Sequence, residues 1–315
     1  MAIIAVLVVR LGAGTFVDAA RAIDPRSLAL GAALAVATTV CAAWRWRLIA
    51  RRLRVDLRMP AAVASCYRSQ FLNSTLPGGV LGDVGRGVWH GRDVGDVGRG
   101  LRTVAWERGA GQVVLAALTA VAVLVAHPFE IPGVVVAALL LATAAGGTLV
   151  VSLRRWRPAG SSRLGVLARD DLRALLDVRA ASGVTVASLV VVVGHLATFL
   201  VAARAVGVRM PVPELVPVAL IVLLVSALPL NLAGWGPREG AAAWVFGAVG
   251  TGAAQGVATA VAYGTIVFVA TLPGAVLLLV SRRRARGVPA GVGPRRVAAS
   301  SPAPPVATVE GAARA

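Results

Sequence analysis

Six ionisable residues stand where an apolar chain accommodates them least: Asp83, Arg86, Glu107, Arg108, Arg238 and Glu239. They lie in two glycine-rich stretches, Gln70 to Arg108 and Ala233 to Gly240, each flanked by long runs of Ala, Val and Leu. An Arg beside glycine backbone, whose N–H groups stay free, suits a phosphate or a carboxylate. Asp83 and Arg86 are three apart and share one face if the segment after Gly82 is helical. The carboxylates then hold the guanidiniums in place. The alternative chemistry is plain neutralisation, in which buried acid–base pairs only hold a fold together.

The surroundings give these charges their meaning. Of the 315 residues 57% are hydrophobic and 15% charged, with a mean hydropathy of +0.79. Several runs approach the roughly 20 apolar residues that cross a bilayer. This is the composition of a multi-spanning membrane protein. An ionisable side chain at the centre of a span costs about 2.5–3.5 kcal/mol on insertion scales, so its presence asks for a reason. Irregular backbone at that depth is tolerated only against protein or a watery cavity. The two stretches therefore read as halves of one polar intramembrane cavity, and the remaining chain as its scaffold.

The net charge of +18 comes from Arg alone, with no Lys. The arginines gather between apolar runs and at the C-terminal end, the pattern of cytoplasmic loops. No aromatic and basic residues interleave as in a nucleic-acid groove, so no nucleic-acid partner is expected. Trp44 and Trp46 beside Arg45 and Arg47 read as interface anchors.

In chain order, spans are expected over about Ala2–Val17, Leu28–Ile49, Val104–Ala126, the return ending at Val151, Val184–Ala203 and Ala253–Val280. The first is short, which points to a start upstream of this chain. Ala61–Leu76 is too short and polar for a crossing and stops at Pro77-Gly78-Gly79. It reads as the first arm of a re-entrant hairpin. Val216–Val249, broken at Pro229 and again through Gly234 and Gly236, reads as a second hairpin entered from the opposite face. The expected fold is all-α: a polytopic helical bundle with about six crossings and two re-entrant hairpins. Leu76-Pro77-Gly78-Gly79 with Asp83 and Arg86 parallels Leu228-Pro229 with Gly234, Gly236 and Arg238-Glu239, as an inverted repeat would. Residues 1–281 form the expected transmembrane domain, with both termini cytoplasmic. Residues 282–315 form a disordered, basic, Pro- and Ala-rich tail. Leu164–Val178 has helical apolar spacing and reads as either an interfacial or a solvated helix.

Other constellations are weaker. Gly82-Asp-Val-Gly-Arg-Gly87 recurs as Gly95–Gly100, read as local duplication or as paired headgroup contacts; no Gly-Lys-Ser/Thr follows, so neither copy is a nucleotide loop. His195, mid-span, either relays protons or packs between helices. Cys41 and Cys66 lack metal spacing, and no Ser-His-Asp arrangement is visible, so no metal, cofactor or enzymatic activity is expected.

Phe71-Leu72-Asn73, Leu76-Pro77-Gly78, Gly82-Asp83 with Arg86, Glu107-Arg108, and Gly234-Trp235-Gly236 with Arg238-Glu239 occur in one order along the chain. Together with Arg45-Trp46-Arg47, this set resembles the flippase-like domain family, the transmembrane half of lysylphosphatidylglycerol synthases, or multiple-peptide-resistance proteins. The resemblance runs to about Arg284. It implies a lipid translocase that moves a phospholipid or lipid-linked envelope precursor between leaflets of the cell membrane, in bacteria the inner membrane. The expected substrate site follows residue by residue. Arg86, Arg108 and Arg238 contact phosphate or carboxylate, and Asp83, Glu107 and Glu239 position them. Gly78, Gly79 and Gly236 permit the bends; Asn73, Pro77 and Trp235 complete the site. No aminoacyl-transferase domain follows the last span, so lipid synthesis is not expected of this chain. The alternative function is a non-transporting scaffold for envelope biosynthesis enzymes, with homo-oligomerisation open in either case. A membrane-embedded transferase is the third reading, disfavoured for want of a nucleophile with its base.

Overall fold

The computed structural model describes residues 14–126, 163–227 and 236–286. Among these residues every regular element is helical. A short helix α1, Gly14–Arg21, precedes α2, Pro25–Arg52. Pro25 suits the first turn of α2, and Asp24 caps it by accepting the Ser27 N–H at 2.6 Å, which holds its carboxyl below the usual range. Then follow α3 (Met59–Thr75), α4 (Leu81–Asp93) and α5 (Val97–Ala126). The described chain continues with α6 (Arg163–Leu175), α7 (Val178–Ala205) and α8 (Val212–Ser226). The chain resumes with α9 (Pro237–Ala248) and ends its described course in α10 (Ala253–Arg286).

Four helices have the length and apolar composition of spans: Pro25–Arg52, Val97–Val125, Val178–Ala205 and Ala253–Ser281. They correspond to four of the expected crossings and make this a polytopic helical membrane protein. Of the other two, the return to Val151 lies outside the described residues, and so does most of Ala2–Val17. The tail from residue 287 lies outside them as well.

The elements between the spans are short. α3 has 17 residues, α4 13, α8 15 and α9 12. None reaches the roughly 20 residues of a crossing. α8 is apolar on all sides, and Leu215 and every residue from Pro217 to Leu223 are buried, as a centrally placed helix must be. It nucleates the main core with Phe199, Phe246 and Ile266. A second core gathers Ala43, Trp46, Ala50, Val55, Leu57, Cys66 and Val104 from α2, α3, α5 and the link between α2 and α3.

Trp46 corrects the expectation of an interface anchor. It is 0% exposed, its Nε1 donates to Thr103 Oγ1 at 3.0 Å, and it packs edge-on against His90. Trp44, two residues and about 200° of helical rotation away, remains exposed. The 100° step per residue divides the Trp pair between core and surface.

The compact unit that holds all the site residues described below ends at Leu278. From Leu279 the chain forms a separate unit, of which the described part is the last turns of α10.

Candidate functional site

The α3–α4 connection carries the first expected site residues. α3 ends at Thr75, Pro77 is exposed, and Gly78 and Gly79 take φ of 89° and 60°, so the chain reverses where only glycine turns without strain. α4 then starts at Leu81, with Asp83 its third residue. Asn73 ties the two arms together. Its Oδ1 accepts the Gly82 N–H at 2.8 Å and its Nδ2 donates to Asp83 Oδ2 at 2.9 Å. Ser69 Oγ adds a bond to Asp83 Oδ1 at 2.7 Å.

Asp83 and Arg86 pair as their spacing predicts, Nε to Oδ1 at 3.0 Å. The pairing of Glu107 differs from the sequence reading. Adjacent residues on a helix point about 100° apart, and here Glu107 and Arg108 take different partners. Glu107, 2% exposed, instead bridges two other arginines. Its Oε1 accepts from Arg45, Nε at 3.0 Å and Nη2 as an ion pair, and its Oε2 accepts Arg86 Nη2 at 2.6 Å. Arg108 turns to the other acid and pairs through Nη2 with Asp83 Oδ2.

Arg45 therefore belongs to the cluster, although the sequence marked it only through the resemblance and as part of a basic loop. Its third nitrogen, Nη1, reaches Ser188 Oγ on α7 at 3.1 Å. Arg86 is equally engaged: Nη1 lies 3.4 Å from Cys66 Sγ, and the guanidinium sits 4.7 Å from the Trp46 ring centroid. Substituting Trp46 with Phe removes the bond to Thr103 and half of this platform. We expect a loss of about 1–3 kcal/mol, read as a lowered unfolding midpoint of the detergent-solubilised protein.

Helices α4 and α5 approach closely enough to bring the two acids together because the repeated motif lies at their contact. Cβ atoms built on Gly100 or Gly87 would meet the backbone of the other residue's helix, Gly100 against Gly91 and Gly87 against Leu101. The duplication read from the sequence as low complexity thus has a packing role, the contact of two helices through their glycines.

The second group forms around α9. Gly236, at φ 117°, caps the helix and donates its N–H to Glu239 Oε2 at 2.7 Å. Glu239, fully buried, also accepts Arg238 Nε at 2.9 Å. Both acids, Asp83 and Glu239, occupy the third position of a short helix that follows a glycine-containing break. That is where a carboxylate meets the free N–H groups and the positive end of the helix. Trp235 lies outside the described residues.

Both groups open on one cavity of about 740 Å³. Asn73, Gly79, Asp83, Arg86, Glu107 and Arg108 line one part of it, and Arg238 with Ser226 another. Pro77, Gly78, Gly236 and Glu239 are not on its wall; they shape or brace the residues that are. Thr39 and Tyr263, which the sequence did not single out, join Gln70 and His195 in completing the lining. Thr39 Oγ1 bonds Gln70 Oε1 at 3.1 Å, and Tyr263 Oη lies 3.0 Å from His195 Nδ1. His195 thus spans α7 and α10, and the Arg238 guanidinium lies 5.6 Å from the Tyr263 ring centroid. Among the described residues no group of His, Cys, Asp and Glu has the proximity needed to hold a metal ion.

The cavity is walled by the guanidiniums of Arg45, Arg86, Arg108 and Arg238. The lysylphosphatidylglycerol synthase TM region family matches residues 1–274. The chain belongs to that family. The match spans all the described site residues together with Trp235 and makes this a membrane protein with a transmembrane region of that family. No curated protein matches the chain.

Proposed function

We propose that this family member is a lipid translocase, carrying the headgroup of a phospholipid or lipid-linked envelope precursor through the cavity while the acyl chains stay in the bilayer. One observation carries the reading: the cavity of about 740 Å³, within the roughly 300–1,000 Å³ of small-molecule sites, is walled on one part by charged groups and on another by Val191, Val267 and Phe268. A headgroup meets the first wall and the root of its chains the second. The two short-helix hairpins are the elements that re-enter the membrane, and rocking of one against the other provides alternating access. The arginine-rich loops support an orientation with both termini on the cytoplasmic side of the cell membrane.

A scaffold function is favoured by a different observation, the saturation of Glu107 by two arginines, which serves stability without any ligand. Under that reading the partners are envelope biosynthesis enzymes, and the cavity is a by-product of packing.

Reconstitution separates the two. Vesicles containing the purified protein and a fluorescent phospholipid are expected to lose outer- and inner-leaflet asymmetry faster than empty vesicles, measured by dithionite quenching. Phospholipids and lipid-linked sugars that all equilibrate no faster than in empty vesicles would sink the translocase. One variant sharpens the result. Gly109 faces the cavity from α5, and a Cβ placed there meets nothing within 4 Å. Gly109→Leu improves helix propensity by about 0.8 kcal/mol while filling the passage. Translocation is expected to fall several-fold with the unfolding midpoint unchanged or raised; an unaltered rate refutes the passage.

A further inference from the structure

We infer that a lipid enters and leaves the cavity sideways, between α3 and α10, through a door whose leaf is the turn Phe268 to Thr271 and whose fulcrum is Gly274 against Tyr67. The lipid as passenger rests on the translocase reading; the route rests on the packing of α3 against α10.

The cavity reaches this seam from within. Gln70, Asn73 and Ser74 of α3 and Val267, Phe268 and Thr271 of α10 stand on its wall. Phe268 also faces outward. It is 39% exposed, and with Leu272 and Val276, at steps of four residues, it forms an exposed apolar stripe along α10. One ring thus stands between the cavity and the outer surface of the bundle. In a membrane that stripe meets acyl chains.

The contacts that shut the seam are of two kinds. At Gly274 the helices touch through backbone: a Cβ there would lie 2.7 Å from the Tyr67 carbonyl carbon and 3.0 Å from Phe71 Cβ. One turn earlier the contacts are light. The Phe71 and Phe268 rings have centroids 6.4 Å apart, and Ser74 Oγ lies 3.5 Å from Thr271 Oγ1. Each hydroxyl already donates within its own helix, Ser74 to Phe71 O at 2.9 Å and Thr271 to Phe268 O at 2.7 Å. Parting them orphans no donor, so the usual penalty for opening a buried polar contact does not arise.

α10 also has the joint that such a movement needs. Pro273, between leaf and fulcrum, brings no N–H for the Val269 carbonyl and leaves the helix one bond short at that point. On the other side of the leaf, α10 is seated against the second glycine-broken segment. A Cβ on Gly256 would lie 2.7 Å from the Ala242 carbonyl carbon and 2.8 Å from Phe246 Cβ, and Gly264 packs against the Arg238 guanidinium. A shift of α9 is passed along α10 to Pro273, and Phe268 to Thr271 swing off Phe71 and Ser74.

The test is a disulfide across the seam of the full chain, Ser74→Cys with Thr271→Cys, whose hydroxyl oxygens start 3.5 Å apart. The two single variants, oxidised alike, control for Cys41 and Cys66. In nanodiscs, a phosphatidylglycerol with a diazirine near the glycerol end of one acyl chain is photolysed and its adducts are mapped by mass spectrometry. In vesicles, dithionite quenching follows a fluorescent phosphatidylglycerol between leaflets. Oxidation of the pair is expected to lower adducts on Val191 and Val267 of the cavity several-fold and to slow translocation several-fold, with reductant restoring both. Adducts on the exposed Val113 and Val121 of α5 should not change. Phe268→Ala shortens the leaf and is expected to raise the cavity adducts. Cavity adducts that persist in the crosslinked protein, or that do not rise in Phe268→Ala, overturn the door, as does a pair that oxidation fails to join. Translocation that continues through the crosslinked protein overturns it as well. Adducts that respond as expected while even the reduced protein moves no lipid between leaflets would retire the translocase and leave the door standing.

Discussion

Glu107→Gln is expected to destabilise the protein by about 3–5 kcal/mol, the cost of removing one partner from a buried ion pair. Glu107 is the hinge of the cluster, because both of its oxygens are committed, one to Arg45 on α2 and the other to Arg86 on α4. Gln keeps the shape but supplies one neutral acceptor in place of two charged ones. Two guanidiniums, each less than a tenth exposed, then face each other without an acid between them. Asp83 offers no rescue, since it already serves Arg86 and Arg108. Thermal unfolding in detergent, followed by size-exclusion fluorescence, reads the loss, and the drop should persist in high salt because the pairs lie away from solvent. A double substitution, Arg45→Gln with Glu107→Gln, should recover part of the loss, since it removes a charge of each sign. An unchanged midpoint in the single variant refutes the bridge.

The second large effect is expected at Gly100. A Cβ there lies 2.6 Å from Gly91 Cα and 2.7 Å from Gly91 N, backbone atoms that have no rotamer by which to escape. Overpacking of this kind costs about 1–3 kcal/mol and is relieved by moving one helix from the other. The movement separates the carriers of the two acids, because Asp83 and Arg86 ride on α4 and Glu107 and Arg108 on α5. Gly100→Val should therefore abolish leaflet equilibration and headgroup binding together, even at a temperature where the protein remains folded. Gly109→Leu, nine residues along the same helix, is the contrast: it blocks the passage and spares the packing. If Gly100→Val retains both stability and transport, the glycine contact is not what holds the cluster.

Some of this was readable from composition and spacing, and some was not. The span-length apolar runs of α2, α5, α7 and α10 announce themselves, since roughly 20 apolar residues have few other destinations. The Asp83–Arg86 pair follows from helical periodicity alone. The residues of the first site stretch were legible because charge and glycine are conspicuous in an apolar chain. Their partners were not. Arg45 lies 62 residues from Glu107, and Ser188 lies 143 residues from Arg45. Those contacts depend on which helix faces join. Neighbouring Glu107 and Arg108 look like a pair in one dimension, yet the turn of the helix sends them to different partners. Trp46 looks like an interface residue beside Trp44, yet the same rotation buries it under Arg86. The repeated Gly-Asp-Val-Gly-Arg-Gly motif looks like duplication until its glycines are seen to let α4 and α5 touch.

Sequence by itself determined that this protein lives in a membrane, that its chain breaks at two glycine-rich places, and which ionisable residues stand there. These are local properties, set by hydropathy and by backbone freedom. Tertiary structure alone decided that three arginines share two acids, that Arg108 is the one turned to the cavity, and that Asp83 and Arg238, from distant parts of the chain, line the same space. Charge balance is a property of a place in the fold, and it exists only after distant helices have packed.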